Sequence, residues 1–533
     1  MVANSGRLEL TWANKHLTLL SGEDGSYEWV KPADVRVAET RLFNELGVVG
    51  DVGPPSGSAD NLLIQGDSLQ SLRSLLRLPE YACRYAGKVK LIYIDPPFNT
   101  GQAFVSYDDA LEHSVWLTMM RDRLLELKRL LAPDGSIWVH LDDAEVHRLR
   151  CVMDEVFGAS RFVATVIWQK RYSRDNRPAI GPVHDSLLVY APAGGDWKRH
   201  RNRIPRTEAK QYRNPNDDPR GRWRPIPMTA QGYRANQMYE IVSPAGVVHT
   251  PPKGRCWSMI RERFDRLLAE GRIYFGKNGR GQPNVIRYLD EDEGLVPWTW
   301  WPATEVGHND ESKKEMLELF PAAEAFDTPK PERLMHRVVH IATQPGDIVL
   351  DCFAGSGTTA AVAQKMGRRW VTIEREPSTV ETYARPRLEK VVKGEHLGGV
   401  TEAVGWEGGG GFRLLEIADS MYEIDGDGDV FLSHQTTNGR FADGVRAQLA
   451  FVAEDDPPFC GRKGRVRLAV IDGAVGEAEA RHLVGALAAR ERLVLVAKAF
   501  DEGVEPLLAE LSPGSRIRKA PRDLLRSEGR VVR

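Results

Sequence analysis

Residues 347 to 360 read DIVLDCFAGSGTTA, and this stretch decides the fold. An apolar run, Ile348 to Leu350, ends on Asp351, passes through Ala354, Gly355 and Gly357, and enters a Thr- and Ala-rich segment. Strand, glycine turn and helix in that order place flexible backbone and unpaired helical N–H groups where a ligand can approach. A plain strand-to-helix turn has the same outline. A phosphate loop of the GxxxxGK[ST] type is excluded, because no Lys follows Gly357. One strand later VTIE ends on Glu374, an acid about 20 residues past the glycines, the placement that binds ribose hydroxyls. A solvated strand-end acid would look the same, but the two features together favour a nucleoside-bearing cofactor.

Working outward, PERLMHRVVHIAT (331–343) predicts a helix before this strand and RRWVTIE (368–374) a strand after it. Far upstream the alternation starts earlier. NLLIQGD (61–67) reads as a strand, SLQSLRSLLRL (68–78) as a helix, VKLIYID (89–95) as a buried strand, and VWLTMMRDRLLELKRLL (115–131) as an amphipathic helix. PDG then stops the helix before the strand SIWVHLDD (136–143). Strands alternating with helices imply a parallel, doubly wound α/β sheet. It is split by Arg-, Pro- and Trp-rich sequence carrying only scattered strands such as HDSLLVYA (184–191).

The expected domains are an N-terminal extension (1–59), a catalytic half (60–160), a basic insertion (161–325), a cofactor half (326–412) and a small C-terminal α/β region (413–533). Within the first, VAETRLFNELG (37–47) has a helical pattern and GPPSGSAD (53–60) reads as a linker. In the last, VRLAVIDG, EAEARHLVGALAARE and RLVLVAKAF suggest a βαβ unit.

Composition narrows the class. A chain of 533 residues exceeds one ordinary core, and 42% hydrophobic with 27% charged residues describes a globular protein. The opening MVANSGRLELTWANK has no signal or transit pattern and no apolar run reaches membrane length, so a cytoplasmic location without membrane contact is expected. Five dispersed cysteines without a CxxC pair argue against a zinc site or a disulfide framework. DGDGDV (425–430) is not a calcium loop, because Gly is missing at the sixth position and Thr436 stands at the twelfth. No metal is expected.

A second stretch, LIYIDPPFNTG (91–101), ends a buried strand on Asp95 and fixes the chain with Pro96 and Pro97 before Phe98. A rigid Asp-Pro turn explains the prolines but not their place in this architecture. DPPF (95–98) resembles the catalytic motif of amino-group DNA methyltransferases, and FAGSGT (353–358) resembles their S-adenosylmethionine motif. Catalytic motif first and cofactor motif far downstream is similar to the β-class order, with target recognition carried between them. DTPKPERL (327–334) resembles the segment that helps close the cofactor pocket. GWEGGGGF (405–412) and SVWLTMMRDRLLELKRLLAPDGSIWVHLDD (114–143) resemble Type III restriction-modification modification subunits and their solitary relatives.

The resemblance implies a Rossmann-like methyltransferase sheet with an inserted target-recognition region, S-adenosylmethionine as cofactor and double-stranded DNA as substrate. It implies cofactor contacts from Asp67, Lys330, Asp351, Phe353, Ala354, Gly355, Ser356, Gly357, Thr358 and Glu374. Asp67 serves nearly as well as a cap for the helix that follows it. Adenine N6 is the expected target, since Asp rather than Ser opens the motif. Cytosine-N4 is the alternative, and so is a DNA-specificity or scaffold subunit acting through a nuclease or helicase partner. A restriction subunit and a homodimer are the expected partners.

The chemistry fits these residue types. A ring-conjugated amine is a poor nucleophile, so the Asp95 carboxylate and the Pro96 carbonyl accept its hydrogens and aim its lone pair. Pro97 offers no competing N–H, and Phe98, where Tyr is commoner in the family, offers a face to a flipped base. His140 reads as a packed core histidine. From Trp168 to Arg234, 15 Lys or Arg stand against 6 Asp or Glu. Arg171, Arg174, Arg199, Arg201, Arg203, Arg222 and Arg224 are the expected DNA contacts, interleaved with aromatics, though a solvated surface has the same composition.

Overall fold

The computed structural model describes residues 8–21, 27–53, 60–99, 112–174, 178–206, 211–214, 218–321, 326–425, 429–434 and 440–524. Residues 54–59 of the expected linker and 426–428 of the DGDGDV segment lie outside them. Two compact units result: Arg203–Pro297, and the chain on either side of it.

The larger unit is built on a ten-stranded sheet. In chain order its strands are β1 (Phe43–Gly50), β2 (Asn61–Gln65), β3 (Val89–Ile94), β4 (Leu131–Leu141), β5 (Phe162–Gln169), β6 (His184–Tyr190), β7 (Trp300–Trp301), β8 (Ile348–Asp351), β9 (Arg369–Glu374) and β10 (Gly411–Ile417). Across the sheet the order is β7-β5-β6-β4-β3-β8-β9-β2-β10-β1. The run from β4 to β10 is parallel, while β6 and β1 lie antiparallel to their neighbours. β3 and β8 have nearly every side chain buried, as parallel strands covered on both faces require. The helices that matter below are α1 (Ser68–Arg77), α2 (His113–Leu130), α3 (Val146–Met153), α4 (Glu332–Ala342), α5 (Thr358–Lys365) and α6 (Arg385–Lys393).

β3 and β8 come from the two halves of the sequence yet pair directly, Val349 with Leu91 and Leu350 with Ile92. From β3 the chain continues to β4 on one side, and from β8 to β9 on the other. Their carboxyl ends therefore open a crevice at the point where the winding reverses, the place where such sheets bind ligands. The doubly wound expectation holds.

Three expectations are corrected. The helical pattern of 37–47 gives only a single turn, Val35–Ala38, followed by edge strand β1, because the backbone of Phe43–Gly50 pairs with β10. The boundary placed after residue 412 falls inside β10, which runs on to Ile417 between β2 and β1. The insertion is also narrower than 161–325: β5, β6 and β7 complete the main sheet, and the separate unit is Arg203–Pro297. That unit is not irregular throughout. It holds a three-stranded sheet of Ile273–Tyr274, Asn284–Tyr288 and Trp223–Pro227, and a core around Met228, Trp257, Phe264 and Phe275.

The C-terminal region contains the expected βαβ unit. Strands Val466–Val475, Arg492–Phe500 and Arg516–Lys519 are parallel, linked by helices Glu477–Gly485 and Val504–Leu511, with a core that includes Leu483, Leu493, Leu495 and Leu508. Among the described residues no helix is long and apolar enough to cross a membrane.

Candidate active site

Asp95 follows directly on β3, so a buried hydrophobic strand delivers a carboxylate to the crevice. One oxygen, Oδ2, is ion-paired with Lys330, from the segment leading into α4. The other, Oδ1, is buried and has no hydrogen-bond partner among the described residues. An unpaired buried acceptor costs about 1–3 kcal/mol, a penalty a donating ligand would remove. The carbonyl of Pro97 accepts from Trp116 Nε1 at 2.7 Å, which ties the turn to α2. No such bond to the Pro96 carbonyl occurs among the described residues.

Phe98 is half-buried. Its ring centroid is 5.7 Å from that of His140, and Lys330 Nζ lies 5.2 Å from it. The next residue, Asn99, has φ +61°, and its Nδ2 donates to Glu145 Oε1 at 2.8 Å. Glu145 is fully buried and also bonds His113 at the start of α2. The DPPF turn is thus held from the α2 side by Trp116 and His113 and by the residue preceding α3.

The cofactor-type loop follows β8. Gly355 has φ +49°, a conformation that favours glycine, and a Cβ there would stand a tight 3.1 Å from the Phe326 ring. Gly357, at φ +77°, caps the start of α5. Glu374 binds this loop rather than projecting freely: its Oε2 accepts from Gly355 N at 2.7 Å and its Oε1 from Glu376 N at 3.1 Å. Burial nevertheless raises its pKa. Asp351 is also buried, with Oδ2 accepting from Thr359 Oγ1 at 2.6 Å and Oδ1 from Phe353 N at 3.0 Å. Burial, helped by the nearby Asp95 and Glu374 charges, pushes its carboxyl up to about 7.

Asp67 takes the capping role. It accepts from Leu69 N and Gln70 N at the start of α1 and pairs with Arg123 at 2.7 Å. Burial opposes its ionisation, but Arg123 and those amides outweigh it and hold the pKa down. It still stands at the carboxyl end of β2, two strands from β8, and Arg123 lies 6.0 Å from the Phe353 ring. Asp67, Asp351 and Glu374 therefore mark the ends of three neighbouring strands beside the glycine loop.

Several residues that shape the site were not singled out from sequence. Arg387 of α6 donates to Thr358 Oγ1 at 2.8 Å and to Glu332 Oε1 at 2.9 Å, and Glu332 Oε2 pairs with Lys365 at 2.7 Å. Glu332 is fully buried. Burial disfavours its charge, yet Arg387 and Lys365 hold its pKa down to about 2. His140 is buried as expected, but it also belongs to a chain: Tyr93 OH to Nδ1 at 2.7 Å, Nε2 to Asp185 at 3.2 Å, and Asp185 to Lys170 at 2.6 Å. Desolvation works against the Asp185 charge, but His140 and Lys170 keep its pKa low. No sequence spacing signals these pairings, because each joins distant elements.

The expected DNA contacts are divided between the units. Arg171, Arg174, Arg199 and Arg201 lie in the larger one, with Arg174 and Arg199 exposed. Arg203, Arg222 and Arg224 lie in the smaller one, where Arg203 pairs with Glu293 and Arg224 bonds Gln211, while Arg222 is exposed. Among the described residues no cluster of His, Cys, Asp and Glu is arranged to hold a metal ion.

Residues 89–385 match the family model described as DNA methylase (N6_N4_Mtase). The chain is 33% identical over 339 residues to the Type III restriction-modification enzyme StyLTI Mod subunit of Salmonella typhimurium, covering 57% of this chain and 49% of that protein. It is 31% identical over 426 residues to the "Probable type III restriction-modification enzyme HindVI Mod subunit" of Haemophilus influenzae, covering 68% and 54%. Against the Type II methyltransferase M.EcaI of Enterobacter cloacae it is 30% identical over 308 residues, covering 56% and 64%. The chain spans about half the length of the two Mod subunits.

Proposed function

Because the chain belongs to the N6/N4 DNA methylase family, we propose that it transfers a methyl group from S-adenosylmethionine to the N6 amino group of adenine in double-stranded DNA. One observation carries this reading: Asp95 and the glycine loop emerge from the paired strands β3 and β8, so an amine acceptor and a cofactor loop share one crevice.

The residues present fit the cofactor. Gly355 and Gly357 leave backbone open at the start of α5, and the Glu374 oxygens keep lone pairs for ribose hydroxyls beyond the amide bonds they accept. Asp67 and Asp351 add acceptors suited to a cationic, hydroxyl-rich ligand. When bound, S-adenosylmethionine supplies an electrophilic methyl on a sulfonium. Asp95 Oδ1 accepts one hydrogen of the target amine and the Pro96 carbonyl the other, which localises the nitrogen lone pair for attack. The methylated nitrogen is then a strong acid, and its proton passes to Asp95 or water. Asp95 acts first as an acceptor and only afterwards as a base. Phe98 offers its ring to the base once it leaves the stack.

The Asp that opens DPPF supports adenine over cytosine. The likeness to Mod subunits supports a restriction subunit as partner, and a DNA substrate supports a cytoplasmic location. Arg174, Arg199, Arg203 and Arg222 are the exposed candidates for phosphate contacts.

Incubation of the protein with methyl-labelled S-adenosylmethionine and mixed-sequence DNA, followed by digestion to nucleosides, tests the reading. Label in N6-methyladenosine is the expected result. Label in N4-methylcytidine moves the target to cytosine, and no transfer by a protein that binds DNA makes it a specificity subunit. Asp95→Ala is expected to lower transfer by at least about a hundredfold while DNA binding persists. Full activity in that variant overturns the site.

A further inference from the structure

Between Pro227 and Arg261 the smaller unit carries one carboxylate, Glu240, against Arg234, Lys253, Arg255 and Arg261. Within that basic stretch every residue of QGYRAN, Gln231 to Asn236, is exposed, Tyr233 to 75%. The loop is nevertheless tied to the body of the unit at both ends. Gln231 closes a strand pair opposite Arg255, and Gly232 N donates to Gly254 O at 3.2 Å. Past Arg234 a single 3-10 turn, Ala235–Gln237, leads to Tyr239, whose carbonyl accepts from the buried Trp257 Nε1 at 2.7 Å.

Five arginines of the same unit, Arg203, Arg206, Arg220, Arg261 and Arg272, each pair with a carboxylate. Arg234 is held another way. It pairs with no carboxylate among the described residues: its Nη1 donates to Gln237 Oε1 at 3.1 Å and lies 3.8 Å from Cys256 Sγ. The fully buried Cys256 thiol donates to the same Gln237 oxygen at 3.4 Å, so the anchor is itself anchored. The guanidinium thus has a fixed position and an uncompensated charge. Its Nε and Nη2 make no hydrogen bond among the described residues, which leaves one edge of the fork with two parallel donors.

Two parallel donors match two acceptors. In a duplex these are O6 and N7 of guanine in the major groove or a pair of phosphate oxygens, whereas adenine presents one acceptor beside a donor. A phosphate contact needs charge and tolerates a mobile side chain; a base contact needs orientation as well. Gln237 and Cys256 orient the guanidinium without neutralising it, the combination that base reading requires. We infer that Arg234 reads a guanine in the recognition sequence, with Gln237 as the residue that positions it. The inference deepens the DNA methyltransferase reading and rests on it, and it names a specificity residue outside the arginines expected from sequence.

The test uses the full-length protein as wild type, Arg234→Ala, Arg234→Gln and Gln237→Leu. Methylation is measured on duplexes in which the mapped recognition sequence is varied one position at a time, and on duplexes in which each of its guanines in turn becomes 7-deazaguanine, which lacks the N7 acceptor. At one guanine, preference over the other bases is expected to fall about tenfold or more in Arg234→Ala, the discrimination that a bidentate arginine–guanine pair provides, with the other positions unchanged. Arg234→Gln, whose amide presents a donor beside an acceptor, loses the same preference and keeps the test open should the Ala variant fold poorly. Gln237→Leu frees the guanidinium, so preference falls part of the way at the same guanine; an unchanged preference there withdraws its positioning role. 7-Deazaguanine at that position slows the wild type and makes no difference to Arg234→Ala. An equal loss at every position makes Arg234 a phosphate contact and overturns the inference, as does a recognition sequence without a G·C pair. Failure of the wild type to methylate any DNA removes the parent reading and this inference with it. Normal methylation with unaltered preference in the Arg234 variants removes only the inference.

Discussion

Glu332 illustrates how much of the proposed site depends on a residue that bonds none of the side chains assigned to it. Its carboxylate is fully buried, bonds Lys365 and Arg387, and accepts from Val400 N at 3.0 Å. Removing the charge leaves two buried cations uncompensated, so Glu332→Gln is expected to cost about 3–5 kcal/mol, measured by urea unfolding. Its depressed pKa gives the pH dependence a sign. The native state holds fewer protons here than the unfolded chain, so this contribution is complete above the ordinary carboxylate range and is lost as pH falls toward about 2. Glu315, which accepts from Glu332 N, behaves in the opposite way. Burial and the neighbouring Glu332 and Glu311 charges push it up to about 7, against a smaller pull from Arg387. Its ionisation therefore opposes folding as pH rises from about 4.5 to 7. Glu315→Gln should raise the urea midpoint at pH 8 and change it little at pH 5. Equal effects at both values would refute the buried-acid account.

At the level of elements, Asp67 and β1 mark what the sequence could and could not disclose. Asp67 before a helical pattern was legible as a cap, and it caps α1. Its Arg123 partner lies 56 positions away, and no local rule announces it. Asp67→Asn, which can still cap but leaves the buried Arg123 without its carboxylate, is expected to cost about 1–3 kcal/mol, and Asp67→Ala, which loses the cap as well, about 1 kcal/mol more, as chemical denaturation would show.

The central strands and the helices around them were legible because burial on both faces and 3.6-residue periodicity leave strong patterns. β1 was not, since its apolar spacing mimics a helix and only pairing with β10 makes it a strand. That pairing has a weak point at Gly411. A Cβ there would stand 2.4 Å from Val49 O and 2.7 Å from Asp51 O, both backbone atoms that cannot step aside. Gly411→Ala should therefore loosen the β1–β10 edge. Amide hydrogen exchange should quicken across 43–50 and stay slow in β3. Uniform loss of protection would mean that the edge and the central sheet open together. The same contrast holds in the site: Asp95 and the glycine loop sit at strand ends and carry local motifs, whereas Arg387 with Glu332 and His140 with Asp185 pair across 55 and 45 positions.

At the scale of the whole molecule, charge and compactness separate the two units. Residues 203 to 297 contain 17 Lys or Arg against 11 Asp or Glu, while the chain as a whole carries a formal charge of -2. The smaller unit is thus basic at +6 and the remainder acidic at -8. Within the smaller unit the two ends meet, since Ile204 and Leu295 exchange backbone hydrogen bonds at 2.9 and 2.8 Å. A short Gly-Ser linker can therefore replace it without stretching the chain on either side. The crevice residues Asp95, Lys330 and the glycine loop all belong to the larger unit, as does every strand of its sheet. Deletion of 203–297 is accordingly expected to leave S-adenosylmethionine binding within about threefold of the intact protein, by calorimetry. DNA affinity should fall, and its dependence on salt should flatten, because phosphate-neutralising cations set the slope of log K against log salt. If the shortened protein binds DNA with an unchanged salt slope, the basic unit is not the principal source of phosphate contacts. Those contacts would then belong to the arginines of the larger unit, Arg174 and Arg199 first among them.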